Sequence, residues 1–357
     1  DRLAETAVVF DNVYAQAPNT PRSFPSLFFS RFPRHVHWQN SNTNYPVALP
    51  DNESVFEVLE KAGVHTAGVS SHFYFTVERG IRQGFSDYDN EGAKSIADSN
   101  HDVAGPRVVA KARAKLATLA RAGKPFVLFV HLFEPHSTYV THPDFPVENT
   151  GLAGLEEKYD YEVAMADRFV GQVLDEIKAL GLGEKTMIVV ASDHGEAFGE
   201  HRFEGRKMYF HGQTLYDELL RVPLLFVIPG VPARRVATPV MLVDLAPTVL
   251  NVLGLSIPDA WDGQSLAPLL AGEPFAARPV VAELLPAPNW NHEAKILRAG
   301  KYKLYHFVET NEFQLYDLEA DPKEQNNLFF AHPDIAARLK EKLARFAESG
   351  ELEPDGP

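Results

Sequence analysis

The 357-residue chain contains no cysteine. Disulfides, thiolate metal sites and a cysteine nucleophile are excluded together. The compartment stays open, since secreted proteins also do without cysteine. No stretch reaches the roughly 18 uninterrupted apolar residues of a membrane span, and no internal repeat or low-complexity linker interrupts the chain. Basic residues are in deficit: 34 Lys and Arg stand against 48 Asp and Glu, a formal charge of −14. That balance argues against a broad nucleic-acid surface, which needs clustered Lys and Arg. It leaves room for a local cationic pocket around one anionic group. A start methionine and a signal peptide are missing too, and Asp1-Arg2-Leu3-Ala4-Glu5 reads as the middle of an amphipathic helix. An upstream segment is expected, and only there would a membrane anchor lie. What is present, 45% hydrophobic and 23% charged residues, fits a globular protein of one large α/β domain with or without a smaller one.

Strands and helices alternate. Thr6–Phe10 reads as a short strand. Ser54–Ala62 reads as a helix with Ser54 as N-cap and Glu57 three residues on, the capping-box spacing. Thr66–Ser70 follows as a strand, and Gly105–Ala122 as a helix. The unbroken apolar run Phe126–Leu132 suits a strand buried on both faces of a parallel sheet. Glu156–Leu180 is a long amphipathic helix, and Lys185–Ala191 and Leu224–Ile228 are further buried strands. This order predicts a parallel sheet with helices on both faces. From about residue 275 the pattern changes to hairpin-like strands at Val280–Leu285, Ala294–Arg298, Tyr302–Val308 and Phe313–Asp317, then a last helix at Pro333–Ser349. The expected division is a catalytic domain over 1–275 and a small α+β subdomain over 276–357.

Three segments place polar chemistry where apolar strands end, the edge at which open α/β sheets bind ligands. In Val189-Val190-Ala191-Ser192-Asp193-His194-Gly195-Glu196, adjacent Asp193 and His194 offer a carboxylate oxygen and an imidazole nitrogen to one divalent cation. The plain alternative is a turn with a surface histidine. In Phe129–Tyr139, His131 suits a core position, whereas His136, after Pro135, suits a ligand-facing loop. Between two later strands lie Glu200-His201, His211-Gly212-Gln213 and Tyr216-Asp217-Glu218. Taken singly, each of those histidines is a surface residue; the case rests on their joint arrival at one edge. Asn19-Thr20-Pro21-Arg22-Ser23-Phe24-Pro25-Ser26 supplies a hydroxyl that a bound cation would activate for in-line attack on phosphorus or sulfur. A helix starting near Ser23 would also turn its amides toward an anion. The competing reading of this stretch is a Pro-rich loop with Thr20 as a turn residue or N-cap.

Together, in order and over nearly the whole chain, these segments resemble the sulfatase family of the alkaline phosphatase superfamily. Asp1-Arg2-Leu3-Ala4 and Val13-Tyr14-Ala15-Gln16-Ala17-Pro18 look like the approach to that family's nucleophile, and Phe129 to Tyr139 like its histidine loop. Ser192-Asp193-His194-Gly195-Glu196 with Gly199-Glu200-His201 looks like its most specific motif. His211-Gly212, Arg221-Val222-Pro223-Leu224, Val243–Thr248, Asp262–Leu266, Leu315–Leu318 and Asp321-Pro322 continue the likeness. The resemblance implies an alkaline-phosphatase-like, mostly parallel sheet between helices, with the small C-terminal α+β subdomain. It also implies one divalent metal ion (Mn, Zn, Ca or Mg) on Asp193, His194 and Thr20, with Thr20, His136 and His211 catalytic. Arg22 and His201 are the implied substrate-binding residues, and an extracytoplasmic location goes with the family.

Two departures shape the functional expectation. Formylglycine-dependent sulfatases carry Cys or Ser at the nucleophile position, followed by x-Pro-Ser-Arg. Here Thr20 cannot become the aldehyde and Phe24 replaces the Arg, so no formylglycine is expected. The segment looks more like the threonine-nucleophile branch of phosphoethanolamine and phosphoglycerol transferases. The leading expectation is therefore a metal-dependent hydrolase or transferase of phosphate esters. The alternatives are a sulfate-ester hydrolase without formylglycine, using metal-activated water, and a non-catalytic binding protein on the same scaffold. The second departure is the family's first strand, whose acidic end binds the metal; it is expected just before Asp1, leaving the site here incomplete.

Overall fold

A computed structural model describes residues 2–352; Asp1 lies outside them. The strands are β1 (Val8–Tyr14), β2 (His65–Val69), β3 (Asp87–Asp89), β4 (Phe126–Val130), β5 (Ile188–Ala191), β6 (Ala197–Phe203), β7 (Arg206–Phe210), β8 (Arg221–Val227), β9 (Arg234–Val236), β10 (Val240–Met241), β11 (Val280–Leu284), β12 (Ala294–Ala299), β13 (Tyr302–Phe307) and β14 (Glu312–Asp317). They fall into two compact units. One comprises Asp1–Val55 with Met187–Pro357, the other Phe56–Thr186. The main division thus falls around an inserted middle segment, while the expected boundary near residue 275 lies inside the first unit.

In the first unit the sheet order is β10-β1-β8-β5, with β9 also on β1. β1 runs parallel to β9 and β10 but antiparallel to β8, which is antiparallel to β5 as well. Among the described strands β8 is thus the antiparallel member of a sheet that otherwise keeps the expected, mostly parallel course. The reason is the chain path. The segment after β5 doubles back: the amides of Gly195 and Glu196 bond the carbonyls of Leu219 and Glu218, at 2.8 and 2.9 Å, just before β8 begins. Leaving from the edge at which β5 ended, β8 can only run the opposite way. Pro223 is tolerated inside β8 because it sits at the register shift opposite Asp11 and Asn12, where a missing N–H breaks no ladder bond.

β1 is longer than expected and starts at Val8; Val8, Phe10 and Val13 are buried with Leu224 and Phe226. A separate sheet, β11-β12-β13-β14, is an antiparallel meander. The helix Pro333–Ser349 covers it with Leu339, Leu343 and Phe346, each contributing roughly 1.5–3 kcal/mol by burial. The hairpin-style strands and the final helix match the expectation closely.

In the second unit β3-β2-β4 form a parallel sheet, with the helices Gly105–Ala122 and Gly151–Ala179 packed together. β4 is half-buried throughout rather than buried on both faces, and among the described residues it pairs on one side only, with β2. No helix among the described residues is long and apolar enough to cross a membrane.

Candidate active site

Thr20 opens the helix Thr20–Phe29, three residues earlier than Ser23. Asn19 is extended and Pro21 sits in the first turn, where its missing N–H costs nothing. Phe24, Phe28 and Phe29 are buried and anchor the helix, so its N-terminus, with the positive dipole end, has a fixed position. The Ser23 hydroxyl donates to the Asp193 carbonyl at 2.5 Å, tying this N-terminus to the end of β5.

The loop after β5 is built for close approach. A Cβ on Gly195 would lie 2.1 Å from the Glu218 carbonyl oxygen, so glycine is required by backbone contact rather than by a positive φ. His194 is buried, and its Nδ1 lies 2.8 Å from the Gly195 carbonyl. A carbonyl only accepts, so Nδ1 carries the proton and Nε2 the lone pair. Nε2 lies 3.2 Å from Thr20 Oγ1, which therefore donates to it. Burial lowers the His194 pKa and favours this neutral tautomer. Asp193 Oδ2 is 3.7 Å from Nε2 and is buried without a hydrogen-bond partner. The His211 ring is centred 4.3 Å from that of His194, and its Nδ1 lies 3.0 Å from Glu196 Oε1. Thr20, Asp193, His194 and His211 are thus brought together, with Glu196 as an orienting carboxylate whose part the sequence reading missed.

Two predicted residues have other partners. Arg22 is 3% exposed. Its guanidinium donates to the carbonyls of Ser41 at 2.6 Å and Thr43 at 3.1 Å and lies over the Trp38 ring, so it fastens a loop. His201 binds Glu218 through Nδ1 and the Glu324 carbonyl through Nε2, and stacks on Tyr216 at 3.6 Å; both nitrogens are engaged within the fold.

His136 belongs to the second unit. Its Nδ1 donates to the Ser137 carbonyl at 2.7 Å, and its ring stacks on Phe133, 4.4 Å away. His72 stacks on Phe133 as well, at 5.1 Å, and is 3% exposed. Sequence reading missed His72, although Ser70-Ser71-His72 follow the end of β2 just as Ser192-Asp193-His194 follow β5. His131 packs against Phe75 at 4.7 Å, a core contact. Glu162 holds the loop around His136 by accepting the amides of Val140 at 2.6 Å and His136 at 3.2 Å.

Burial pushes the Glu162 carboxyl from 4.5 up to about 7. A raised acid binds its proton more tightly when folded, so it stabilises the fold below about pH 4.5 and loses that contribution as pH rises toward 7. Glu162→Gln, neutral at every pH, should gain on the wild type between pH 5 and 8, by up to about 3 kcal/mol. Paired melting curves across that range check this; a pH-independent difference would exclude it.

The chain matches the Sulfatase family model over residues 1–255. It belongs to the sulfatase family. Residues 199–349 also match the model for the C-terminal region of N-sulphoglucosamine sulphohydrolase. The chain is 25% identical to a Δ4,5-hexuronate-2-O-sulfatase of Bacteroides thetaiotaomicron, over 92% of this chain and 78% of that one. It is 29% identical to mouse (Mus musculus) arylsulfatase K over 60% of this chain, a match spanning only 39% of that relative. A solved 2-O GAG sulfatase superposes with a TM-score of 0.76 at 21% identity, covering 99% of this chain and 89% of the other. The α/β, alkaline-phosphatase-like fold is thereby shown. The expected phosphate-ester chemistry through a threonine nucleophile is overturned, because the curated relatives are named as sulfatases.

Sulfatases typically use a divalent metal. The buried, unpartnered Asp193 Oδ2 fits a cation, and His194 Nε2 and Thr20 Oγ1 are further donors. Among the described residues no three His, Asp or Glu side chains converge as a ligand set, so these groups fit part of a coordination shell rather than a whole one.

Proposed function

We propose that this chain hydrolyses a sulfate ester on a saccharide, without formylglycine. The observation that carries the reading is the joined set Thr20–His194–His211–Glu196 at a helix N-terminus. The sulfated hexuronate named for one relative supports the substrate class. The sulfate group would lie at the N-terminal end of the helix Thr20–Phe29, where the dipole favours an anion. Water attacks sulfur in line, the bond from sulfur to the sugar oxygen breaks, and its electron pair goes to that oxygen. His211, oriented by Glu196, delivers a proton to the leaving oxygen. The products are sulfate and the free hydroxyl; of the two protons that the attacking water gives up, one restores His211 and the other passes to solvent. Thr20 and His194 hold the sulfate and the attacking water in place. Asp193, His194 and Thr20 would be this chain's contribution to a divalent cation, which supplies charge neutralisation and water activation when bound.

The test is turnover of a 2-O-sulfated uronate disaccharide, with divalent cation supplied, in ¹⁸O-labelled water. Sulfate carrying one ¹⁸O, unlabelled sugar and no release of phosphate from the matched phosphate ester are expected. Label in the sugar hydroxyl, or preference for the phosphate ester, would overturn the reading.

A further inference from the structure

We infer that Trp290 is a sugar-stacking, specificity-determining residue beside the reacting group. The inference rests on the sulfate-ester reading and deepens it by naming what holds the saccharide.

Trp290 lies in the loop between β11 and β12, closed by paired backbone bonds with Ala287 at 2.8 and 2.9 Å. The backbone thus fixes where the indole starts. The loop meets the histidine segment at two points. A Cβ on Gly212 would land 2.5–2.6 Å from Cε2, Cζ2 and Nε1 of Trp290, so the indole lies directly against the residue after His211. Gly212 has φ +94°, which suits glycine and allows that approach. Two residues beyond Trp290, the His292 ring lies near the Gln213 backbone. The loop is fastened on its other side as well: the Asn289 amide donates to Asn44 Oδ1 at 2.9 Å. Asn44 follows Ser41 and Thr43, whose carbonyls Arg22 holds. Trp290 is therefore tied both to the segment of the proton donor and, through Arg22, to the helix that Thr20 opens.

Its own state is that of a recognition residue. The indole is half-buried against the core, while Pro288, Asn289 and Asn291 around it are exposed. Among the described residues its Nε1–H has no acceptor. A buried tryptophan usually finds a partner for that donor; here the donor and part of an apolar ring are presented beside a polar site. A pyranose ring matches both, with a C–H face for the indole and hydroxyls for Nε1–H.

The test uses Trp290→Ala and Trp290→Phe in the cation-supplied protein. For the sulfated disaccharide, Trp290→Ala should raise KM about tenfold and Trp290→Phe two- to threefold, with kcat little changed. Inhibition by inorganic sulfate, which has no sugar ring, should stay as in the wild type. Calorimetry with the desulfated disaccharide should show the same loss of binding, with or without turnover. Unchanged affinity for that ligand in Trp290→Ala, or a parallel weakening of inorganic sulfate, would overturn the inference. Absence of sulfate release by the wild type, with the calorimetric loss intact, would fault the ester chemistry alone.

Discussion

His211→Asn should lower kcat on a sulfated sugar by roughly 10²–10⁴, the usual worth of a positioned general acid. The size of the loss should depend on the leaving group. A sugar alkoxide cannot depart unprotonated, so it needs the imidazole. A nitrophenolate departs without a proton, so an aryl sulfate should lose far less. Glu196 lies 3.0 Å from His211 Nδ1, and Glu196→Gln should act in the same direction with smaller effect, because the amide still holds the ring, through a weaker hydrogen bond than the carboxylate makes. The measurement is kcat for both esters in wild type and the two variants. Equal losses on the two esters would assign His211 to binding or packing rather than to proton delivery.

The candidate site was legible wherever strand ends carried it. Asp193 and His194 follow on the apolar run of β5, half-buried along Ile188–Val190, so the rule that α/β sheets bind at strand ends needed only local sequence. The same rule covered His72 after β2, but a lone histidine behind two serines has no neighbour to mark it. Glu196 stood inside the recognised block, yet its pairing with His211 depends on the chain doubling back before β8, which no local pattern states. Arg22 and His201 were read as anion contacts because a cation beside a site motif suggests that role. Their partners, the carbonyls of Ser41 and Thr43 and the side chain of Glu218 with the carbonyl of Glu324, include groups up to 123 residues away. The antiparallel course of β8 escaped for a related reason. Periodicity reports which residues are apolar, whereas strand direction follows from where the connecting segment delivers the chain. The choice between sulfate and phosphate esters turned on a single residue, Thr20, and whole-chain likeness to sulfatases outweighs it.

Lys303→Met should destabilise the protein by about 3–5 kcal/mol near pH 8, the usual effect of removing one partner from a buried ionic group. Lys303 is 0% exposed and pairs with Asp217 at 2.7 Å and Glu324 at 2.9 Å. Tyr14 donates to the other oxygen of Asp217 at 2.8 Å, and Glu324 accepts the Asp217 amide at 2.6 Å. The two carboxylates lower the cost of a buried ammonium and raise its pKa; burial pushes Glu324 up, and Lys303 pulls Asp217 down. Methionine fills much the same volume, so the loss isolates charge rather than a cavity. Without the ammonium, both acids become buried and unpaired, and their folded pKa values rise above the unfolded ones. Such acids stabilise the protonated folded state, so the variant should recover part of its stability as pH falls from 8 toward 5. The network also bears on the site: His201 stacks on Tyr216, next to Asp217, only a few residues from His211. Chemical denaturation of both proteins at pH 5 and 8 reads the difference directly. A loss below about 1 kcal/mol at pH 8, or an identical loss at both pH values, would mean that Asp217 and Glu324 are neutralised by other groups.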